Sequence, residues 1–314
     1  MKTKVLIVGG AGYVGGYLCD ILEQSDNFFD ITVYDNLCYE RMYLKKINFI
    51  YGDVREKEKL LPLLKENNIV IWLAAIVGDG ACAIKPELSK EINEDSVKWL
   101  VDNYTGKIIF MSTCSVYGIN NDLIDENAYP NPLSVYAQTK LNAELYIRKH
   151  AKDYLIYRLG TLYGIGDTYS RIRLDLVVNI LTCKAILGET LKVFGGEQWR
   201  PILHVRDVGL AIRFALEHNI TGLYNLSERN YKISAIAEFI KKNIITTNIE
   251  YIDLPFEDLR NYKVSSDKIQ DLGWMPTFNL FHGISQIQAI IKEGRIPNLK
   301  DPIFSNVAYL KEHL

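Results

Sequence analysis

The sequence predicts an α/β chain: a doubly wound parallel sheet with a smaller C-terminal region. Three observations lead there. Short apolar runs recur through the first half of the 314 residues, apolar at nearly every position rather than at alternate ones. Periodic helical stretches separate them. The glycine-rich run GGAGYVGG follows the first apolar run directly. A strand apolar throughout is buried on both faces, and that is the pattern of a parallel sheet covered by helices on each side.

The strands expected in order are VLIVG (5–9), ITVYD (31–35), INFIYGD (47–53), IVIWLAA (69–75), KIIFMS (107–112) and YLIYRL (154–159). Between them, YLCDILEQ, EKEKLLPLLKEN and EDSVKWLVDNY have helical periodicity. The pattern changes after Gly164. An Arg-containing loop, a helix in LDLVVNILTCKAIL and a short strand at LKVF come first. A helix in HVRDVGLAIRFALEH and a strand in GLYNLS follow, and the tail contains loops at Pro255 and Pro276. The expected division is 1–164 as a main domain to which 204–228 returns, with 165–203 and 229–314 forming the second region.

Composition narrows the function classes. The chain is 48% hydrophobic and 24% charged with net charge −2, an ordinary globular balance. No basic block points to nucleic acid or a membrane surface. No apolar stretch reaches the roughly 18 residues of a membrane span. The apolar run after MKTK is too short for a signal peptide. Five cysteines without a CxxC pair read as reduced thiols of a cytoplasmic protein and leave no metal site.

GGAGYVGG has the spacing G-x-x-G-x-x-G at Gly9, Gly12 and Gly15, between a strand and a helix. Glycines permit a tight turn and let backbone N–H groups approach a pyrophosphate at the helix N-terminus. In that context the motif predicts a Rossmann-type dinucleotide site. Asp35 ends the second strand twenty residues after Gly15, where an acid accepts from the adenine ribose hydroxyls. A carboxylate there repels a 2′-phosphate, which favours NAD over NADP; Arg41 points the other way. Tyr13 and Val14 in the loop, Asn36 beside the acid, Asp53 and Val54 after the third strand, and Leu73, Ala74 and Ala75 after the fourth complete the expected cofactor wall.

SVYAQTK places Tyr136 four residues before Lys140, on one helix face. Spacing alone fits a surface pair as well as a proton-transfer pair. With the glycine loop, MSTCSVYG (111–118), WRPILHVRDV and DLRNYKVSSDKIQDLGWMP (258–276), however, it resembles the short-chain dehydrogenase/reductase superfamily. The resemblance is to its extended branch, the NAD-dependent epimerase/dehydratase family that acts on nucleotide sugars. It spans nearly the whole chain.

That resemblance implies a catalytic set of Thr113, Tyr136 and Lys140, with Ser112 as a close rival to Thr113 and Ser115 a poorer one. Tyr136 is the expected acid/base. Its phenol has an ordinary pKa near 10, which a lysine ammonium and the nicotinamide charge lower. Lys140 also holds the nicotinamide ribose. On the substrate side the resemblance implies Arg200 and Arg260 on the pyrophosphate, Asn179 on the pyrophosphate or nucleotide, Val193 to Gly195 along the base, and Thr161 and Arg173 as further contacts. Arg171 and Arg173 each also read as solvated loop charges, and His204 as a structural histidine.

Two departures bear on the reaction. RLGT puts Thr161 where the family often carries Asn. Cys114 and Ser115 stand where 4,6-dehydratases carry Asp-Glu after the catalytic Thr. The implied function is oxidation at C4 of a nucleoside-diphosphate sugar, as a 4-epimerase or a 4-dehydrogenase. LAAIVGDGACAIKPEL and GEQWRPILHVRDV resemble a subgroup serving capsule and surface polysaccharide assembly, some members of which oxidise GDP-heptose. Water elimination is not expected, although Asp79 is an acid that could reach the sugar. The resemblance also implies a homodimer or homotetramer paired through helices at 91–104 and 135–151. A catalytically idle NAD-sensing or structural relative is the rival reading from another class; the complete Thr, Tyr and Lys positions argue against it.

Overall fold

The computed structural model describes residues 2–25, 28–40, 42–252 and 260–313; Arg41 and Pro255 lie outside them. Seven parallel strands form one sheet: β1 (Thr3–Val8), β2 (Phe29–Asp35), β3 (Asn48–Tyr51), β4 (Ile69–Trp72), β5 (Lys107–Thr113), β6 (Tyr154–Leu159) and β7 (Gly222–Leu226). Their spatial order is β7-β6-β5-β4-β1-β2-β3. Every residue from Val5 to Val8 is fully buried, because helices cover both faces. Val5 and Ile7 enter one core with Leu18 and Ile212; Leu6 and Val8 enter the other with Leu60 and Leu100.

The strand order reverses between β1 and β4, and a crevice opens at their carboxyl ends, the usual ligand site of such sheets. Gly9 leaves β1 there and Leu73–Ala75 leave β4. The two strand ends are tied, since Leu73 and Ala74 donate their N–H groups to the Val8 carbonyl at 2.8 and 2.9 Å. Helix α1 (Gly15–Glu23) starts at the same point. Helix α2 (Val135–His150) runs beside the sheet, and α3 (Val205–Glu217) packs on α1.

The remainder builds a second, smaller layer. Thr161–Tyr163, Trp199–His204 and Arg229–Lys232 form a three-stranded sheet, and Leu191–Phe194 pairs with Ile249–Ile252. Ile119–Ile124 pairs with Asn261–Val264, which the sequence pattern did not reveal. Tyr163, Val178, Ile202, Ile236 and Ile284 share this layer's core. A last helix, α4 (Asn306–His313), packs against Asp79–Ile84 beside the crevice.

The stretch read as one helix over 91–104 begins with a π-helical turn, Glu91–Asp95, before the α-helix Ser96–Asn103. The extra residue turns Asn93 inward. Its side chain accepts from Ile76 N at 2.8 Å and donates to Ile76 O at 2.9 Å, fixing the loop after β4. His204 is structural. Its Nε2 faces the Gln286 Oε1 acceptor at 2.8 Å and its Nδ1 accepts from Arg206 N at 3.1 Å. Burial pushes its pKa down to about 4. Among the described residues, no helix is long and apolar enough to cross a membrane.

Candidate active site

One cavity of about 770 Å³ runs from the glycine loop, past the ends of β4 and β5, to the second layer. At the cofactor end, Gly9 has φ +85°, and a Cβ there would come within 2.4 Å of Ala74 N. Only glycine fits between β1 and β4 at that point. Asp35 closes β2. Its Oδ2 accepts from Ala11 N at 3.0 Å and its Oδ1 from Leu37 N at 2.7 Å. Burial raises its pKa and those two donors oppose the rise. The carboxylate thus both shapes the glycine loop and lines the cavity, with Asn36 beside it donating to Asp53 at 2.9 Å. Gly9, Gly12, Tyr13, Val14, Gly15, Asp35, Asn36, Asp53, Val54, Leu73, Ala74 and Ala75 all lie on this wall. A dinucleotide fits these residues: the tight backbone approach, the acid and the helix start stand in the order such a ligand needs.

The middle of the cavity is built on α2. Ser134 caps it by accepting from Ala137 N at 3.2 Å. Tyr136 and Lys140 follow one turn apart, and Thr113 meets them from the end of β5. The Thr113 hydroxyl accepts from Ser115 N at 3.1 Å and lies near enough to the Tyr136 phenol to act on it. Burial raises the phenol's pKa, Cys82 and Asp79 add to the rise, and Arg173 and the Thr113 hydroxyl oppose it. Burial also pushes the Lys140 ammonium down to about 7, against the pull of Cys82 and Glu144. Its Nζ sits 4.0 Å from the Phe110 ring centroid. The protein by itself therefore favours the uncharged phenol and brings the lysine's titration down to near neutral pH.

Ser112 is not free to compete with Thr113. Its hydroxyl donates to Glu144 at 2.9 Å, and Glu144 pairs with Arg158 at 2.5 Å in the fully buried layer under α2. Cys114 also faces inward, its thiol donating to the Arg158 carbonyl at 3.2 Å. Ser115 does line the cavity, 3.1 Å from Arg260 Nη1 and 3.3 Å from the Tyr262 hydroxyl.

At the far end, Thr161, Arg173, Val193, Arg200 and Arg260 line the cavity. Arg173 pairs with Asp175 at 3.0 Å. Arg200 donates to the Trp199 carbonyl at 2.8 Å and to the Arg260 carbonyl. Asn179 is the exception. It is fully buried and off the cavity wall: its Oδ1 accepts from Gly164 N at 2.8 Å and its Nδ2 donates to the Arg173 carbonyl at 2.7 Å. It braces the loop that carries Arg173 instead of facing a ligand, because its helix turns that side toward the core.

Several wall residues were invisible as a group in the sequence. Lys184 and Lys192 add positive charge at the far end, and Tyr262 flanks Ser115. Asn306 arrives from the tail, 131 residues after Asp175, whose Oδ2 accepts from its backbone N–H at 2.9 Å. No spacing rule links such distant positions. For Lys184 the available signal was its place on the same helix as Val177 and Ile180, which also face the cavity.

Known proteins resemble this chain in sequence and in fold. The family model described as the NAD dependent epimerase/dehydratase family matches residues 5–227. A Methanocaldococcus jannaschii protein provisionally named a UDP-glucose 4-epimerase is 28% identical over 303 residues, covering 90% of this chain and 96% of its own. The UDP-glucose 4-epimerase of Thermotoga maritima, solved with UDP-glucose, superimposes with TM-score 0.79 at 24% identity, over 93% of this chain and 99% of that one. A dTDP-glucose 4,6-dehydratase from Bacillus anthracis, solved with NAD, gives TM-score 0.78 at 21% identity, over 94% and 98%. At these identities the two structures show a shared fold and do not separate one reaction from another. The match of the family model over more than two thirds of the chain does decide membership: the protein belongs to the NAD-dependent epimerase/dehydratase family, and its cofactor is NAD.

Proposed function

We propose that the protein oxidises C4 of a nucleoside-diphosphate sugar and acts as a nucleotide-sugar 4-epimerase. The observation that supports this most is the convergence of Thr113, Tyr136 and Lys140 on one cavity, between the glycine loop and the arginines of the second layer. NAD, when bound, supplies the hydride acceptor and a positive charge beside the phenol. Tyr136 takes the proton of the reacting hydroxyl, and Thr113 hydrogen-bonds that oxygen. Lys140, charged in the complex, favours the phenolate and holds the ribose. Arg173, Arg200 and Arg260 hold the diphosphate, for which the guanidinium fork is suited.

The same first step serves two outcomes. A 4-keto sugar that turns over and is reduced on its other face leaves as the epimer; one that departs makes the protein a 4-dehydrogenase. The narrower reading, GDP-heptose in surface polysaccharide assembly, rests on the sequence runs after β4 and before α3. Epimerase is the reading we adopt because the Methanocaldococcus jannaschii relative, matched over 96% of its length, is provisionally named a 4-epimerase. The test is incubation with UDP- and GDP-linked hexoses and heptoses, followed by chromatography, mass and absorbance of reduced cofactor. Epimers of unchanged mass with no net reduced cofactor are expected. A ketone lighter by two hydrogens, formed with stoichiometric reduced cofactor, replaces epimerase by dehydrogenase. Absence of turnover with every sugar favours the idle relative.

We further propose a homo-oligomer paired through the Ser96–Asn103 and Val135–His150 helices. They lie side by side, and Leu145 on the second is half exposed. A monomeric mass by light scattering at micromolar concentration excludes it.

A further inference from the structure

The loop after Gly164 crosses the start of α1. Ser170 packs so closely there that a Cβ on Gly16 would lie 1.8 Å from its hydroxyl. Lys45 fastens the crossing, pairing with Asp20 of α1 and with Asp167 of the loop, each at 2.5 Å. The next residue, Arg171, points into the cavity at its cofactor end. It is 4% exposed and lies over the Tyr39 ring at 3.6 Å, just beyond β2. Nη2 of its guanidinium donates to Asn306 Oδ1 at 2.6 Å. Nε and Nη1 are buried without a hydrogen-bond partner among the described residues. Burial correspondingly pushes its pKa down to about 10.

Unpaired buried guanidinium donors are costly, and proteins keep them where an anion completes them. Nε and Nη1 lie on different sides of the guanidinium, and each offers a charge-assisted donor to a separate oxygen, as a diphosphate with several oxygens can supply. Glu40 and Asp175 influence its charge, but neither fills those donors. Asn306 is itself fixed, donating to the Val77 carbonyl at 2.7 Å in the loop after β4. The guanidinium is therefore locked on a brace anchored in the cofactor wall.

We propose that Arg171 is a pyrophosphate-binding residue for the NAD cofactor, presented by the 167–173 loop and oriented by Asn306 of the C-terminal segment. This inference rests on the NAD dependence of the family and is independent of which sugar is turned over. The shared chemistry, a diphosphate, is also present in the substrate, but Arg171 neighbours Cys38 and Tyr39 at the end of β2, where the Asp35 side of the dinucleotide site lies.

The test is calorimetric binding of NAD, ADP-ribose, adenosine and UDP to the protein and to Arg171→Met, Arg171→Lys and Asn306→Ala. Arg171→Met should weaken NAD and ADP-ribose by roughly 10- to 100-fold, the share of a charge-assisted hydrogen-bonded contact. Adenosine and UDP should bind unchanged, Arg171→Lys should fall between, and Asn306→Ala should show a smaller loss in the same pattern. The melting temperature of Arg171→Met without ligand should equal or exceed that of the parent, while the rise produced by NAD shrinks. NAD affinity within twofold of the parent overturns the proposal. A loss confined to UDP assigns Arg171 to the substrate diphosphate, and an equal loss for adenosine makes it a structural residue; either also overturns it. If Arg171→Met does not fold, Arg171→Lys decides by the same comparison.

Discussion

Arg260 lies 3.0 Å from Asp79, and Asp79 accepts from the Ser134 hydroxyl at 2.6 Å. Ser134 is the cap of the helix that carries Tyr136. A substrate-side arginine is thus linked, through one carboxylate, to the residue that starts the catalytic helix. Asp79 also disfavours the phenolate of Tyr136. Removing its charge should lower the phenol's pKa, so the limb of the pH–rate profile that reports proton removal should move to lower pH in Asp79→Asn. A limb unmoved or shifted upward shows that Asp79 does not act on Tyr136.

Tyr136→Phe removes one oxygen and leaves the ring. Folding and NAD binding should survive, since the neighbouring Thr113 hydroxyl keeps its hydrogen bond from Ser115 N. Turnover should fall by roughly 10²–10⁴-fold, the usual share of general acid–base catalysis. Near-normal turnover with a nucleotide sugar removes Tyr136 from its role.

The strands themselves, the glycine loop and the Tyr-Lys spacing could all be read from the chain because each is local. A strand buried on both faces is apolar throughout, and Tyr136 and Lys140 need only one helix turn. The Ser112–Glu144–Arg158 layer beneath them could not be read, since it joins β5, α2 and β6. Without it, Ser112 and Thr113 are equivalent hydroxyls at a strand end. Asn179 failed for the opposite reason: a polar residue near a helix start reads as a ligand contact, yet its helix faces the Gly164 turn. Arg171 was legible as a loop charge only, because its burial depends on Tyr39 and Asn306, 132 residues before and 135 after it.

Cofactor choice depends on Asp35. Asp35→Ala should weaken NAD binding and improve tolerance of NADP, because a 2′-phosphate no longer meets a carboxylate. It also removes the acceptor of Ala11 N and Leu37 N, so a modest loss of stability is expected. Tighter binding of NADP than of NAD by the parent protein, measured by calorimetry, contradicts the role.

Lys140 makes stability without cofactor depend on pH in a definite direction. Its folded pKa is pushed down to about 7, while an unfolded lysine keeps its ordinary value of about 10.4. Between those values the unfolded chain binds the extra proton, so the folded state gains stability as pH rises from about 7 toward 10. Below about pH 7 both states are protonated and the penalty is at its full size. The Lys140→Met variant lacks this contribution, so its melting temperature should depend less on pH across that window. Identical pH dependence of the two proteins, by calorimetry without NAD, refutes the assignment.

The last prediction is that no water is lost from the sugar. Elimination after C4 oxidation needs a proton removed at C5 and another delivered to the leaving C6 hydroxyl. Dehydratases of this family are expected to do so with the Asp-Glu pair after the catalytic Thr, where this chain has Cys114 and Ser115. The structure deepens that argument. Cys114 is fully buried behind β5, its thiol points at the Arg158 carbonyl, and burial raises its pKa, so it reaches no sugar atom. Ser115 lines the cavity, but its hydroxyl has Arg260 and Tyr262 as partners, neither of them a base that would activate it. Asp79, an acid on the same cavity wall, is engaged on both sides: Oδ2 with Arg260 and Oδ1 with Ser134. Both oxygens would have to leave these partners before the carboxyl could serve a leaving hydroxyl. Products followed by mass should be unchanged or lighter by two hydrogens, and Asp79→Asn should not alter that. A product lighter by one water from the parent, lost in Asp79→Asn, would show that Asp79 breaks its pairing to serve as the missing acid.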